Sequence, residues 1–286
     1  MIRSMTAYAA GERLAPWGSL SCELRAVNHR YLELGLRLPD ELRAFEGLLR
    51  ERVARRVTRG KLDLSLRLRP ALGGEALRLN ADLLDRLAEL AAQCDARFPR
   101  MQVDFAELLR HPGLVEQAEI DADVLREAVE ALLDQVLDEF IAAREREGGK
   151  LAEFMTSRLD GIADIAAQVR EWLPDIRAAL RQKLETRLAD LREAADPGRL
   201  EQELVLHLQK IDVDEELDRL ATHVGEAHRV LALPDAVGRR LDFLLQEFNR
   251  EANTLGSKSV DARTTRAAVE LKVLIEQIRE QVQNIE

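Results

Sequence analysis

From Asp121 to about Ala195, apolar side chains recur at helical spacing almost without interruption. A pattern of that length commits the middle of the chain to helix before anything else is known. Gly148-Gly149 lies inside it as the expected bend, and Pro174 as an expected kink or restart. Long charged helices of this kind form antiparallel hairpins or meet a neighbouring subunit. Asp196-Pro197-Gly198 then breaks the pattern. Beyond it the spacing predicts helices near 199–209, 214–231, 235–255 and 261–284, with Gly256 as a helix stop.

The amino end follows a different period. Leu20, Cys22, Leu24 and Ala26 alternate with polar residues, as do Leu32, Leu34, Leu36 and Leu38, and again Leu62, Leu64, Leu66 and Leu68. Period-2 alternation marks half-buried strands. Residues 2–9 alternate loosely as a first strand. Segments 20–27 and 31–38 read as antiparallel neighbours joined around Asn28-His29-Arg30. Pro39-Asp40 stops the strand and caps a helix over about 40–57, with Leu42, Phe45, Leu48, Leu49, Val53 and Val57 on one face. Asn80 caps a helix to about Arg97, and a short helix follows near 104–110. The fold class is therefore α+β: a small β-rich domain over 1–70 with a packed helix, a helical connector with a long hairpin over 71–195, and an all-helical module over 196–286.

Charge divides along the same lines. Residues 1–70 carry 14 Arg and Lys against 8 Asp and Glu, and the remainder carries 28 against 44, within a net charge of −10. A basic domain on an acidic body can attract a polyanion, or can dock on an acidic neighbour. Aromatic residues make up only 4%, which disfavours a base-stacking platform. Cys22 and Cys94 are the only cysteines, so a disulfide framework and a thiolate zinc site are disfavoured and a reducing compartment is expected. The start lacks an apolar h-region, and no run of about 18 apolar residues occurs. The expected location is the cytoplasm, away from membranes.

No Walker A loop, GxGxxG, HExxH or Gly-x-Ser-x-Gly occurs in the chain. The densest polar constellation lies in 203–259. Asp212, Asp214, Glu215 and Glu216 open a helix that goes on to Arg219 and His223. Acidic residues at a helix start answer the helix dipole, and a lone helical His is usually structural. Glu247 and Glu251 stand at i,i+4, where like charges repel by a few tenths of a kcal/mol unless Arg250 or a divalent cation intervenes. Paired carboxylates with a His suit Mg²⁺ or Mn²⁺, although a solvated acidic face has the same spacing. In Gly256-Ser257-Lys258-Ser259 an ordinary C-cap followed by an N-cap explains the Gly and Ser259 but not Lys258, and a helix start can hold phosphate.

The segment Gln246-Glu247-Phe248-Asn249-Arg250-Glu251-Ala252-Asn253-Thr254-Leu255-Gly256-Ser257-Lys258-Ser259 resembles the hallmark of the YicC family of bacterial proteins, as does the tail Glu276 to Glu286. Met1-Ile2-Arg3-Ser4-Met5-Thr6, Arg25-Ala26-Val27-Asn28-His29-Arg30-Tyr31-Leu32-Glu33 and Thr58-Arg59-Gly60-Lys61 are similar to the amino end of the same family. Residues 70–195 match it only in helical character. The resemblance implies an N-terminal family domain reaching about residue 155. It also implies an endoribonuclease helped by a divalent metal, built as a ring-like homo-oligomer, a hexamer, and linked to RNA turnover or stress response.

The resulting expectation is hydrolysis of single-stranded RNA. Glu247 and Glu251 hold Mn²⁺ or Mg²⁺ with Glu203, Glu216, or Asp212 and Asp214, and His223 is a ligand or a general acid/base. Arg3, Arg25, Asn28, Arg30, Arg59, Lys61 and Lys258 are expected to grip RNA phosphates. A non-catalytic oligomeric adaptor that delivers RNA to another nuclease would need the basic residues but not the carboxylates, and a helical scaffold would need neither.

Overall fold

A computed structural model describes residues 2–71, 78–95, 97–98, 100–116, 120–190, 212–233 and 235–286. Strands β1 (Ala7–Ala15), β2 (Gly18–Val27) and β3 (Leu32–Arg37) lead through a 3-10 turn (Asp40–Phe45) into α1 (Glu46–Arg56) and then β4 (Gly60–Pro70). A short ribbon, β5 (Arg78–Leu79) with β6 (Val115–Glu116), closes an excursion that contains α2 (Ala81–Asp95) and α3 (Phe105–Leu109). Helix α4 (Ala122–Asp190) follows, then α5 (Asp214–Leu231), α6 (Gly238–Lys258) and α7 (Ala262–Val282). The expected break at Asp196-Pro197-Gly198 and the helix near 199–209 lie outside the described residues.

The α+β class holds, but one pairing differs from expectation. The sheet order is β1-β2-β4-β3, so β2 and β3 are not neighbours. Strand β4 lies between them, antiparallel to β2 and parallel to β3. The alternation of Leu residues fixes which side chains face inward and says nothing about which strand sits alongside. The intervening α1 supplies the crossover that a parallel β3–β4 pair requires. The link at Asn28 and His29 is held elsewhere. The Asn28 amide donates to the Gln283 carbonyl at 2.6 Å, and Arg59 Nε donates to the His29 carbonyl at 3.0 Å.

Leu20, Cys22 and Leu24 of β2 face Leu62, Leu64 and Leu66 of β4 into a core closed by Leu49 and Val53 of α1 and by Val129 to Phe140 of α4. Burial pushes the Cys22 thiol up to about 12, so it acts as a small apolar core residue. Cys94 is free and exposed.

The bend expected at Gly148-Gly149 is absent, and among the described residues no hairpin forms within this helix. One helix of 69 residues runs through the pair and past Pro174, a length of about 100 Å. Two mid-helix glycines weaken a helix by about 1 kcal/mol each without ending it. Gly148 has another reason to be small: a Cβ there would lie 2.1 Å from the Ile2 carbonyl oxygen. The second half of α4 (Met155, Leu159, Ile162, Val169) forms a separate core with α5, α6 and α7. Gly256 is likewise not a stop, because α6 continues to Lys258 and ends where Ser259 turns extended.

The two ends of the chain meet over the middle of α4. Ser4 bridges Ile285, and the backbones of Arg3 and Glu286 exchange hydrogen bonds of 3.1 and 2.8 Å. The buried Arg144 donates to the Ser4 carbonyl and to the Glu286 carboxylate, each at 2.6 Å. Among the described residues, no helix is long and apolar enough to cross a membrane.

Candidate metal centre

A short connection over 232–237 makes α5 and α6 antiparallel neighbours, so the charged residues of the two helices meet along one seam. Their apolar stripes explain the arrangement. Leu217, Leu220, Val224 and Ala227 of α5 pack with Leu241, Leu245, Phe248 and Leu255 of α6, and the residues flanking those stripes line the seam. At one end Lys258 meets Glu216, in the middle Arg219 meets Glu251, and further along His223 meets Glu247 and Glu251.

One ligand atom each from His223, Glu247 and Glu251 lies within 4.8 Å of the other two. Glu251 is buried, whereas the Glu247 side chain is about half exposed, at 46%. The His223 ring stands edge-on to the fully buried Phe248, with centroids 5.8 Å apart and planes at 69°, which fixes the imidazole in the seam. Arg219 approaches Glu251 at 3.4 Å but holds Glu215 more closely, at 2.6 Å. The Glu215 and Glu251 carboxylates both raise the pKa of that guanidinium. Glu251 is therefore a buried carboxylate whose charge is only loosely answered by its own chain, and a cation beside it would relieve that cost. One imidazole and two carboxylates are a donor set that suits Mn²⁺ or Mg²⁺.

The other acidic candidates have different partners. Glu216 accepts from Lys258 Nζ at 2.7 Å, and among the described residues its second oxygen is buried without a partner. Asp212 and Asp214 share Arg177 of α4, at 3.0 and 2.8 Å. Those carboxylates raise the Arg177 pKa, the hydrogen bond that Arg177 donates to Asp214 being the largest cause. Glu203 lies outside the described residues. The sequence puts Arg219 on the same helix as His223 but gives it no role, and Arg177 is not legible as a partner because it sits on α4, 35 residues before Asp212.

The expected RNA-gripping residues are spread over the N-terminal body and the termini. Arg3 pairs with Glu145 at 2.7 Å. Arg25 lies over the Tyr8 ring, and Arg30 over the Tyr31 ring. Asn28 and Arg59 make the backbone contacts described above, while Lys61 lies exposed on β4 beside Val27 and Glu33. Lys258 donates to the Asp212 carbonyl at 2.8 Å as well as to Glu216. Ser257 donates to Thr254 and Ser259 to Asp261, while Asp261 caps α7 through the Arg263 amide. The polar groups of that helix start are therefore engaged within the chain.

Comparison with known proteins matches both parts of the chain to one family. The family described as endoribonuclease YicC-like, N-terminal region, matches residues 2–153, and its C-terminal counterpart matches residues 169–286. The chain is 45% identical over 287 residues to the protein of Haemophilus influenzae named probable endoribonuclease YicC, covering 100% of both chains. It is 32% identical over 294 residues to the protein of the same name from Clostridioides difficile, again covering 100% of both. By sequence along its whole length, the chain belongs to the endoribonuclease YicC-like family.

Proposed function

We propose that the protein is an endoribonuclease that hydrolyses phosphodiester bonds of single-stranded RNA at a divalent metal held by His223, Glu247 and Glu251. The observation that carries this reading is that an imidazole of α5 and two carboxylates of α6 bring ligand atoms within 4.8 Å of one another, with Glu251 buried and met by Arg219 only at 3.4 Å. The relatives named probable endoribonuclease support the reaction class. When bound, Mn²⁺ or Mg²⁺ would supply Lewis-acid stabilisation of phosphoryl charge and activation of a water molecule. Glu251 anchors the site from the core, and the half-exposed Glu247 faces the side from which RNA can approach. His223, held by Phe248, serves as a ligand or moves a proton between the attacking water and the leaving oxygen. Arg219, itself about half exposed, reaches from the same seam toward the phosphate.

A role in RNA turnover or stress response, and assembly as a homo-oligomer of six subunits, belong to the same reading. The α2–α3 excursion supports assembly, since α2 buries no residue and Leu90, Phe98, Val103 and Phe105 stand exposed.

The test is cleavage of end-labelled RNA with Mn²⁺, Mg²⁺ or chelator, comparing wild type with Glu247→Ala/Glu251→Ala. The expected result is metal-dependent cleavage that the double variant loses by about 100-fold or more. A cut that persists in chelator removes the carboxylate assignment. RNA binding without cleavage in either protein makes the chain an adaptor instead.

A further inference from the structure

Between α6 and α7, next to the seam, lies an open hollow of about 610 Å³. It is shallow and open to solvent rather than enclosed. Its walls include Gln246, Asn249, Arg250 and Asn253 of α6 and Glu276 and Arg279 of α7. We propose that this hollow is a nucleotide subsite, holding the RNA residue next to the phosphodiester bond that is cut. The inference rests on the hydrolytic reading given above.

Three observations carry it. The first is the chemistry of the walls. Among the described residues, the side-chain amides of Gln246, Asn249 and Asn253 make no hydrogen bond within the chain. Asn is a weak helix former that is favoured at caps, yet Asn249 and Asn253 lie one turn apart inside a helix that runs from Gly238 to Lys258. Neither caps it, so the helix carries their cost without a local return. A primary amide offers donors and an acceptor together, which matches the edges of an unstacked base and the 2′-hydroxyl of RNA.

The second is the state of the two guanidinium groups. Arg250 stands 3.7 Å from Glu247, and Arg279 stands 3.9 Å from Glu276. Both are ion pairs at separations beyond hydrogen-bonding distance, so the planar forks keep donors that can turn to phosphate. The third is position. Arg250 lines the hollow and pairs with a residue of the metal cluster, so a chain lying in the hollow delivers its next phosphate to His223, Glu247 and Glu251.

The experiment compares wild type with Asn249→Ala/Asn253→Ala and with Arg279→Ala, all at solvent-facing positions, after thermal melting shows that each variant folds. Binding of a fluorescein-labelled single-stranded oligoribonucleotide is measured by anisotropy in EDTA over a salt series, and cleavage is measured separately with Mn²⁺. Each variant is expected to weaken binding about tenfold and to raise KM while kcat at saturating RNA holds. Only Arg279→Ala should lower the salt slope, by about 1. Variants that bind like wild type, or that lose kcat at unchanged KM, overturn the subsite even where wild-type cleavage upholds the hydrolytic reading. Conversely, wild type that binds without cutting removes that reading and with it the cut bond beside the hollow, so the subsite falls with it even where the variants lose binding. A wild type that binds no oligonucleotide overturns the subsite outright.

Discussion

Lys258 points inward to Glu216. Its ammonium lies 2.7 Å from a carboxylate whose side chain is only 6% exposed, and it also bonds the Asp212 carbonyl at 2.8 Å. That pair clamps the end of α6 to the start of α5 and sets the register in which His223 meets Glu247 and Glu251. Lys258 thus has a structural task that its place beside Ser257 and Ser259 in the sequence does not disclose.

Removing one partner of this pair should be costlier than removing both. Lys258→Met leaves Glu216 buried and uncompensated and is expected to lower stability by about 2–3 kcal/mol. The double variant Lys258→Met/Glu216→Leu should recover most of that loss. Urea denaturation checks both. If Lys258 instead served RNA alone, Lys258→Met would weaken RNA binding at unchanged stability.

Gly148 and Gly149 should respond in opposite directions to alanine. A Cβ at Gly148 would lie 2.1 Å from the Ile2 carbonyl, whereas nothing lies within 4 Å of one at Gly149. Gly149→Ala is expected to stabilise the protein by about 0.5–1 kcal/mol through helix propensity. Gly148→Ala should destabilise it by displacing the segment that carries Arg3 and Ser4 toward Arg144 and Glu286. Thermal melting of the two single variants gives the sign of each.

Asp261 caps α7, accepting from the Arg263 amide at 2.8 Å. The Arg263 guanidinium, then its amide, hold the Asp261 pKa below its ordinary value of 3.8. A carboxylate whose folded pKa is depressed stabilises the fold fully above its unfolded pKa, and that contribution fades as pH falls through the folded value. Asp261→Ala should therefore cost about 1 kcal/mol at pH 7. The gap to wild type should narrow below about pH 3.8. Paired urea titrations at pH 7 and pH 3 measure it, and a gap that does not change with pH would remove the ionised cap as its source.

Much of this could be seen in the order of the residues, because local periods report local structure. The leucines at every second position identified β2, β3 and β4, and the spacing of α5 identified its bounds at 214 and 231. The i,i+4 placement of Glu247 and Glu251 put two carboxylates on one face of a helix before any fold was known. Asn80 also caps where expected, accepting from the backbone of Leu83.

What the sequence determined by itself was which face of each element is apolar, roughly where β2, β4 and α5 lie, and which carboxylates share a turn. All of these depend on neighbours a few residues away. Only the tertiary structure decided that β4 separates β2 from β3, that Gly148 makes room for a crossing backbone rather than a bend, and that Glu251 rather than Glu216 stands beside His223. Those choices rest on contacts between residues far apart in the chain. Packing of whole elements selects such contacts, and a repeating pattern of side chains is equally compatible with several of them.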